Sequence, residues 1–309
     1  MTIISLAWDV TYACNSRCIH CYNCSGRPLK DELNMKEQLD VCKQILETNI
    51  MGVDFLGGEP LLCENLFKLS EFLKQKNIKL GIITNGILLS RFYKNIGKYF
   101  DSVQVSLDGI KEISDKIRFN GSFEKSVMGI KKISSFSDVN VLISSVATKT
   151  NENNISKIID IAHKLNIKTV KFSKYLPTGR GLLNKYLLQP INYTNLMEEI
   201  KEKSKSLGIN VIWEDPMEMF NDILPVKKSW IGLTANGHIT PNPFLPFSIG
   251  NIRDNKLNEY LEKAMVYKKI DIGDLRGKTD VEDLFAFKKL FCLDIISRKE
   301  NIGNFTGVA

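Results

Sequence analysis

The sequence predicts an α/β protein built on a parallel sheet. Two observations carry this prediction. Short runs rich in β-branched and aromatic residues alternate with helical patterns from the start of the chain to about residue 175, the order that right-handed βαβ crossovers produce. Residues of unusual chemistry also follow the strands. The cysteines come after the first, "GGEP" after the second, "TNG" after the third, "LDG" after the fourth and "PTGRG" after the sixth. Loops of this kind collect at one rim of a parallel sheet, where sites form.

Each element has its own signal. "ISLAWDV" reads as the first strand, and "MKEQLDVCKQILETN" places Leu39, Cys42, Ile45 and Leu46 at helical spacing. Strand and helix then alternate through "GVDFLGG", "LFKLSEFLKQK", "KLGIITNG", "LLSRFYKNIGKYF", "SVQVSLDG", "SFEKSVMGIKKISSF", "VNVLISSVAT", "NISKIIDIAHKL" and "TVKFSKYL". Six strands with five intervening helices suit either an open sheet or an incomplete barrel. After about residue 185 the pattern changes. "YTNLMEEIKEKSKSLG" is an amphipathic helix ending at Gly208, "INVIW" a short strand, "SWIGLTANGHITPNP" a hairpin turning at Asn236-Gly237, and "LNEYLEKAM" a short helix. The tail "ENIGNFTGVA" is expected to be poorly ordered. Residues 1–185 therefore read as a large domain and 186–309 as a small one.

Composition narrows the function. Of 309 residues, 43% are hydrophobic and 25% charged, as in globular proteins. No apolar stretch nears the roughly 20 residues of a membrane helix, and the N-terminus has no signal-peptide pattern, so a cytoplasmic protein without a membrane partner is expected. The net charge of +7 is scattered over pairs such as Lys131-Lys132 and Lys227-Lys228. No single basic stripe suggests nucleic acid. In a reducing compartment, clustered cysteines bind metal or do redox chemistry.

Four of the seven cysteines fall within "CNSRCIHCYNC", and the others stand at 42, 63 and 292. Cys14, Cys18 and Cys21 have the spacing C-x3-C-x2-C. Three thiolates on a four-iron cubane leave one iron open to an outside ligand. A zinc knuckle completed by Cys24 or His20 is the competing reading, a non-catalytic metal-binding module.

This motif resembles the signature of the radical S-adenosylmethionine (SAM) enzymes, with His20 in the aromatic position of "CNSRCIHC", and the surrounding "WDVTYACNSRCIHCY" is similar to the peptide-modifying and haem- or quinone-maturing branch. "GGEP" (Gly57, Gly58, Glu59, Pro60) resembles the loop that binds the methionine amino group. "ITNG" (Thr84, Asn85, Gly86) and "SLDG" (Ser106, Leu107, Asp108, Gly109) match loops near the ribose and methionine. "IRFNGSF", with Arg118, and "VATKTNENN" also fit, and "KYLPTGRG", with Leu176, resembles the last barrel loop beside the adenine. The resemblance covers residues 3–182 and implies a partial (β/α)6 TIM-like barrel followed by a small α+β domain. It implies a [4Fe-4S] cluster on Cys14, Cys18 and Cys21. It also implies SAM bound by His20, Tyr22 and the loop residues named above, and an external one-electron donor such as flavodoxin or ferredoxin. Reductive cleavage of SAM would yield a 5′-deoxyadenosyl radical that takes a hydrogen from the substrate. The branch implies a ribosomal peptide as substrate, with a small-molecule cofactor or antibiotic precursor as the alternative.

Relatives in that branch carry a SPASM or twitch domain with auxiliary clusters. Here "SWIGLTANGHITPNPFLPFSIGNIRDNKLNEYL" resembles that domain with Ser229 and Asn242 in place of the expected cysteines and only Cys292 beyond. A degenerate domain without an auxiliary cluster is expected. With strand 1 expected to begin almost at Met1, no peptide-binding winged helix is expected before it. Cys24 and Cys63 lie near the rim in sequence and are candidates to donate a hydrogen atom to a product radical.

Overall fold

Ten strands form one continuous sheet in a computed structural model that describes residues 3–214, 228–240, 243 and 248–267. Strands β1 (Ile3–Asp9), β2 (Ile50–Leu56), β3 (Lys79–Thr84), β4 (Ser102–Ser106), β5 (Asn140–Ala147) and β6 (Thr169–Lys174) lie side by side in chain order. Each is parallel to the next. The connections are the expected helices: α1 (Met35–Leu46), α2 (Leu66–Lys74), α3 (Leu89–Tyr99), then α4 (Lys111–Ile117) with α5 (Ser122–Ile133), and α6 (Lys157–Lys164). α4 is an addition to the sequence reading. It is too short to show a helical repeat of apolar residues, and a tertiary contact helps to hold it, since the Ile19 N–H donates to Ile117 O at 2.9 Å.

α1 shows how local sequence sets an element. Asn34 caps it by accepting from the Lys36 and Glu37 N–H groups, and Glu37 returns a bond to the Asn34 N–H, a complete capping box. Its inner face buries Val41, Cys42 and Ile45, each worth about 1.5–3 kcal/mol for the larger aliphatics relative to exposure. Cys42 is thus a core residue. On β2, Val53 and Phe55 face this helical layer and are buried. The alternate positions Asp54 and Leu56 face the other way, into a cavity.

The segment after residue 185 does not stand apart from the sheet. Helix α7 (Tyr193–Leu207) ends at Gly208 as expected, with φ 65°, and leads into β7 (Asn210–Glu214), which pairs parallel with β6. β8 (Lys228–Leu233) pairs parallel with β1 at the opposite edge, and β9 (His238–Thr240) and β10 (Gly250–Asn251) follow antiparallel. The turn between β8 and β9 holds Gly237 at φ 88°, where glycine avoids strain. Both edges of the six-stranded unit are covered, which satisfies backbone groups that would otherwise be exposed. The sheet curls: Lys171 on β6 lies 5.8 Å from the ring of Trp230 on β8, although five strands separate them in the sheet order. The result is a partial TIM-like barrel. Helix α8 (Leu257–Tyr267) is tied to α1 by the Leu257 N–H donating to Gln44 Oε1 at 2.8 Å. Asn242, Cys292 and the C-terminal tail lie outside the described residues. No described helix is long and apolar enough to cross a membrane.

Candidate active site

The cysteine loop follows β1 and is folded back on itself. The Cys14 N–H donates to Gly26 O and the Gly26 N–H to Tyr12 O, both at 2.9 Å. Cys14, Cys18 and Cys21 all open onto a cavity of about 230 Å³ at the C-terminal ends of the strands. Arg180 clamps the loop from the last barrel connection. Its guanidinium donates to Cys18 O at 2.9 Å and Ser25 O at 2.7 Å, and its backbone N–H to Cys21 O at 2.9 Å. Beside it Gly179 has φ 55°, and a Cβ there would overlap the carbonyls of Cys21 and Tyr22. Sequence reasoning gave Arg180 no role. An arginine between two glycines was a visible signal, but its partners are backbone carbonyls 162 and 155 residues away.

Donors surround two of the sulfurs. Cys14 Sγ accepts from the Ser16 N–H at 3.4 Å and the Asn85 amide at 3.9 Å. Cys18 Sγ lies 3.2 Å from Ser16 Oγ and accepts from Arg118 Nη1 at 3.9 Å. Burial, with Cys18 adding to it, pushes the Cys14 thiol up to about 12. Burial also pushes Cys18 up, against the opposing charge of Arg118. Such thiols stay protonated at neutral pH unless a bound cation displaces the proton. Among the described residues no three His, Cys, Asp or Glu side chains gather closely enough to hold a single metal ion. Three thiols on one cavity wall fit a multi-iron cluster with a thiolate at each of several corners.

Gly57 and Gly58 also line the cavity, beside the cysteine loop. A Cβ on Gly57 would overlap Thr11 O, and one on Gly58 would overlap Ala13 O, so only glycine lets this loop lie against the cysteine loop. The Gly58 and Glu59 N–H groups donate to those same two carbonyls at 2.8 Å. Asn23 Nδ2 ties the far side by donating to Gly57 O at 3.1 Å.

Glu59 and Pro60 are buried and do not face the cavity. Glu59 accepts from Thr84 Oγ1 at 2.7 Å, the Asn85 N–H at 2.9 Å and the Leu61 N–H at 3.2 Å. Burial pushes its carboxyl up to about 7 against these bonds. Glu59 thus braces one rim loop to the next, and the glycine backbone is what this loop offers a ligand. Pro60 starts the short turn Pro60–Leu62.

Thr84, Asn85 and Ser106 line the cavity, as do His20, Tyr22, Arg118 and Leu176. Asp108 lies behind them, fully buried. Arg118 Nε is 2.6 Å from Asp108 Oδ2, an ion pair whose N–H is not aimed well enough for a hydrogen bond. Asp108 also accepts from the Val146 N–H at 3.0 Å, and His20 Nε2 approaches it at 3.4 Å. Burial works to raise this carboxyl, but Arg118, His20 and the Val146 N–H together hold it below its usual range. Burial pushes the His20 imidazole down to about 4, so it is neutral at pH 7. Its Nδ1 is buried without a hydrogen-bond partner beside the cavity. This unsatisfied atom, the glycine cradle and the donors at the sulfurs fit a cluster with a polar ligand next to it.

Cys24 and Cys63 are not on the cavity wall. Cys24 is 1% exposed with φ 54°, and Cys63 packs against the hydrophobic core.

A family model described as the radical SAM superfamily matches residues 8–165. The chain belongs to that superfamily. Radical SAM enzymes use SAM and an iron–sulfur cluster. Mycofactocin maturase MftC of Mycolicibacterium smegmatis is 28% identical over 181 residues, 58% of this chain and 46% of that protein. The chain spans about half the length of that relative. The AdoMet-dependent heme synthase of Methanosarcina barkeri is 25% identical over 306 residues, 89% of this chain and 87% of that one. In fold, Streptococcus suis SuiB bound to precursor peptide SuiA superposes with a TM-score of 0.71 at 16% identity, covering 92% of this chain and 69% of SuiB.

The radical SAM barrel also presents residues that the sequence reading did not single out. Asp54, Gln104, Lys171, Glu214 and Trp230 line the same cavity. Each is a single inward position on a different strand, so no contiguous motif announces it.

Proposed function

We propose that this enzyme holds one [4Fe-4S] cluster on Cys14, Cys18 and Cys21, binds SAM along the rim, and modifies a ribosomally made peptide. The observation that supports the site assignment is that Cys14, Cys18 and Cys21 line one cavity together with Gly57, Gly58, Asn85 and Ser106 from three other strand-end loops. When bound, the cluster and SAM supply one-electron cleavage of a sulfonium and hydrogen-atom abstraction from the substrate.

The protein's own residues set the stage. The Gly57–Gly58 stretch, Asn85 and Ser106, which line the cavity, orient the methionine and ribose polar groups. His20 and Tyr22 offer flat faces beside the thiols, and Leu176 gives an apolar contact for a base. Arg118, fixed by Asp108, puts a positive charge next to Cys18 and offsets the negative charge of bound thiolates. Arg180 keeps the cysteine loop in register with the last barrel loop. The electron comes from an external donor of the flavodoxin or ferredoxin kind.

The peptide reading is supported by the maturase relative and by the fold likeness to SuiB, whose structure holds a precursor peptide. Tailoring of a small-molecule precursor is the second reading, favoured by the heme synthase match over 89% of the chain. The part of residues 186–309 that follows β7 serves in either case as a degenerate SPASM-like, substrate-side segment without an auxiliary cluster. The Ser229 and Asn242 replacements support this role.

Anaerobic reconstitution with iron and sulfide tests the site. The expected protein is brown, with broad absorption near roughly 400 nm and about four irons per chain, and releases 5′-deoxyadenosine when reduced with SAM. Cys14→Ala loses both properties, and Cys24→Ala keeps its iron. A colourless protein with one zinc per chain, lost in Cys24→Ala, overturns the assignment in favour of the metal-binding module.

A further inference from the structure

Below the rim, the barrel interior is charged where such interiors are commonly packed with branched apolar side chains. Lys171 Nζ on β6 lies 2.9 Å from Glu214 Oε2 on β7, with the two side chains only 12% and 15% exposed. Ser173 Oγ donates to the same carboxylate at 3.1 Å. The Lys171 ammonium also stands 5.8 Å from the centre of the Trp230 ring. Burying such a pair costs more than an apolar replacement would, so its retention needs a reason.

Asp54 on β2 supplies one. Its carboxyl faces the cavity and makes no hydrogen bond among the described residues. It lies across β3 at the level of its register partner Gly81, where a Cβ would overlap Asp54 Oδ1. The glycine thus clears the space in which the carboxyl sits. Lys171 is close enough to act on Asp54 electrostatically but is hydrogen-bonded elsewhere. Asp54, Glu214 and Lys171 give this level of the barrel two carboxyls to one ammonium, beside an indole that lines the same cavity; Lys174, three residues further along β6 toward the rim, also lines it. Burial raises the Asp54 carboxyl against the charge of Lys171, so a cation brought to it restores its ionised form.

We propose that the barrel floor is a substrate subsite for a cationic group, an alkylammonium or guanidinium that pairs with the cavity-facing carboxyl of Asp54. The Lys171–Glu214 pair fixes the polar wall around it and rejects a second cation. A charge-assisted cation–carboxylate contact gives selectivity over a neutral group of equal size. This inference rests on the reading of the cavity as the radical SAM active site and adds the class of group that enters it. It applies to a lysine- or arginine-like side chain of a peptide and to a free amine alike.

The test uses the reconstituted holoenzyme with SAM and measures binding calorimetrically. The probes are Nα-acetyl-lysine methylamide, its neutral counterpart Nα-acetyl-norleucine methylamide, the acidic Nα-acetyl-glutamate methylamide, and n-butylammonium. The lysine probe is expected to bind at least about tenfold more tightly than the norleucine probe, the scale of one charge-assisted hydrogen bond. Asp54→Asn removes that preference while taking up the same iron as the wild type, which shows that it folds, and Asp54→Glu retains part of it. Tighter binding of the lysine probe than of n-butylammonium points to a peptide side chain, and the reverse order to a free amine. Equal binding of the lysine and norleucine probes, a preference that survives Asp54→Asn, or a preference for the acidic probe overturns the proposal. Release of 5′-deoxyadenosine before any probe is added reports on the active-site reading separately.

Discussion

Three inward or buried carboxylates divide the barrel into two regions that treat charge differently. At the rim, Glu59 and Asp108 are both fully buried and fully engaged. Glu59 has only neutral donors around it, from Thr84, Asn85 and Leu61, while Asp108 has the Arg118 guanidinium. On the floor, Asp54 faces the cavity with no hydrogen bond among the described residues. The rim carboxylates are therefore braces that hold ligand-facing groups in place, and the floor carboxylate is itself the group offered to a ligand. A strand-end acid is best judged by its partners, because the same residue type serves both ends of this cavity.

The largest expected effect separates the two braces. Asp108→Asn removes the counter-charge of Arg118, whose side chain is 10% exposed. Leaving one member of a buried pair uncompensated costs about 3–5 kcal/mol, read by denaturant unfolding of the cofactor-free chain at pH 7. A loss below about 1 kcal/mol, the range of surface pairs, would show that Arg118 finds water or another partner, and the contrast with Glu59 would collapse.

Glu59→Gln is expected to cost less, and its cost depends on pH. At pH 5 the amide nitrogen faces the Asn85 N–H and leaves it unpaired, a loss of about 1–3 kcal/mol. The wild-type carboxyl is raised from 4.5 to about 7 by burial. Its contribution to stability is fully present below pH 4.5 and is lost as pH rises through about 7. From pH 5 to pH 8 the wild type should lose on the order of 3 kcal/mol relative to the variant. Asp108 has the opposite sign: its lowered value contributes stability above 3.8 that is lost as pH falls through the folded value. The gap between wild type and Asp108→Asn should therefore shrink in acid. Parallel stability–pH curves for wild type and Glu59→Gln would mean that Glu59 stays ionised, and the distinction between the braces would be one of strength only.

The two regions also differ in how far the sequence disclosed them. The rim is made of contiguous motifs, because a loop that wraps a ligand draws its contacts from neighbours in the chain. Cys14, Cys18 and Cys21, with Gly57 and Gly58, could be read directly. The roles of Glu59 and Arg180 could not, since the direction of a side chain and the identity of a distant carbonyl are tertiary facts. The floor was silent. Asp54, Lys171 and Glu214 come from β2, β6 and β7; in sequence β7 reads as a short strand of a small second domain, whereas its parallel pairing with β6 puts it in the barrel wall. Strand order in a parallel sheet depends on non-local pairing, and "INVIW" carries no mark of its partner.

The smallest effect tests the floor without touching its charges. In Gly81→Ala the new methyl group would occupy the space of Asp54 Oδ1. The obstacle is the end of a flexible side chain, so Asp54 can rotate away, at a cost of roughly 1 kcal/mol, the low end for an added methyl group. Stability should fall by that amount and iron uptake should match the wild type, because every thiol and rim loop is untouched. The preference for the lysine probe over the norleucine probe should nevertheless decline, since the carboxyl no longer lies where it faces the cavity beside Gly81. Were the preference to persist with Asp54 displaced, the cation would have to be held by Glu214, and the ion pair with Lys171 would be the part of the floor that opens to substrate.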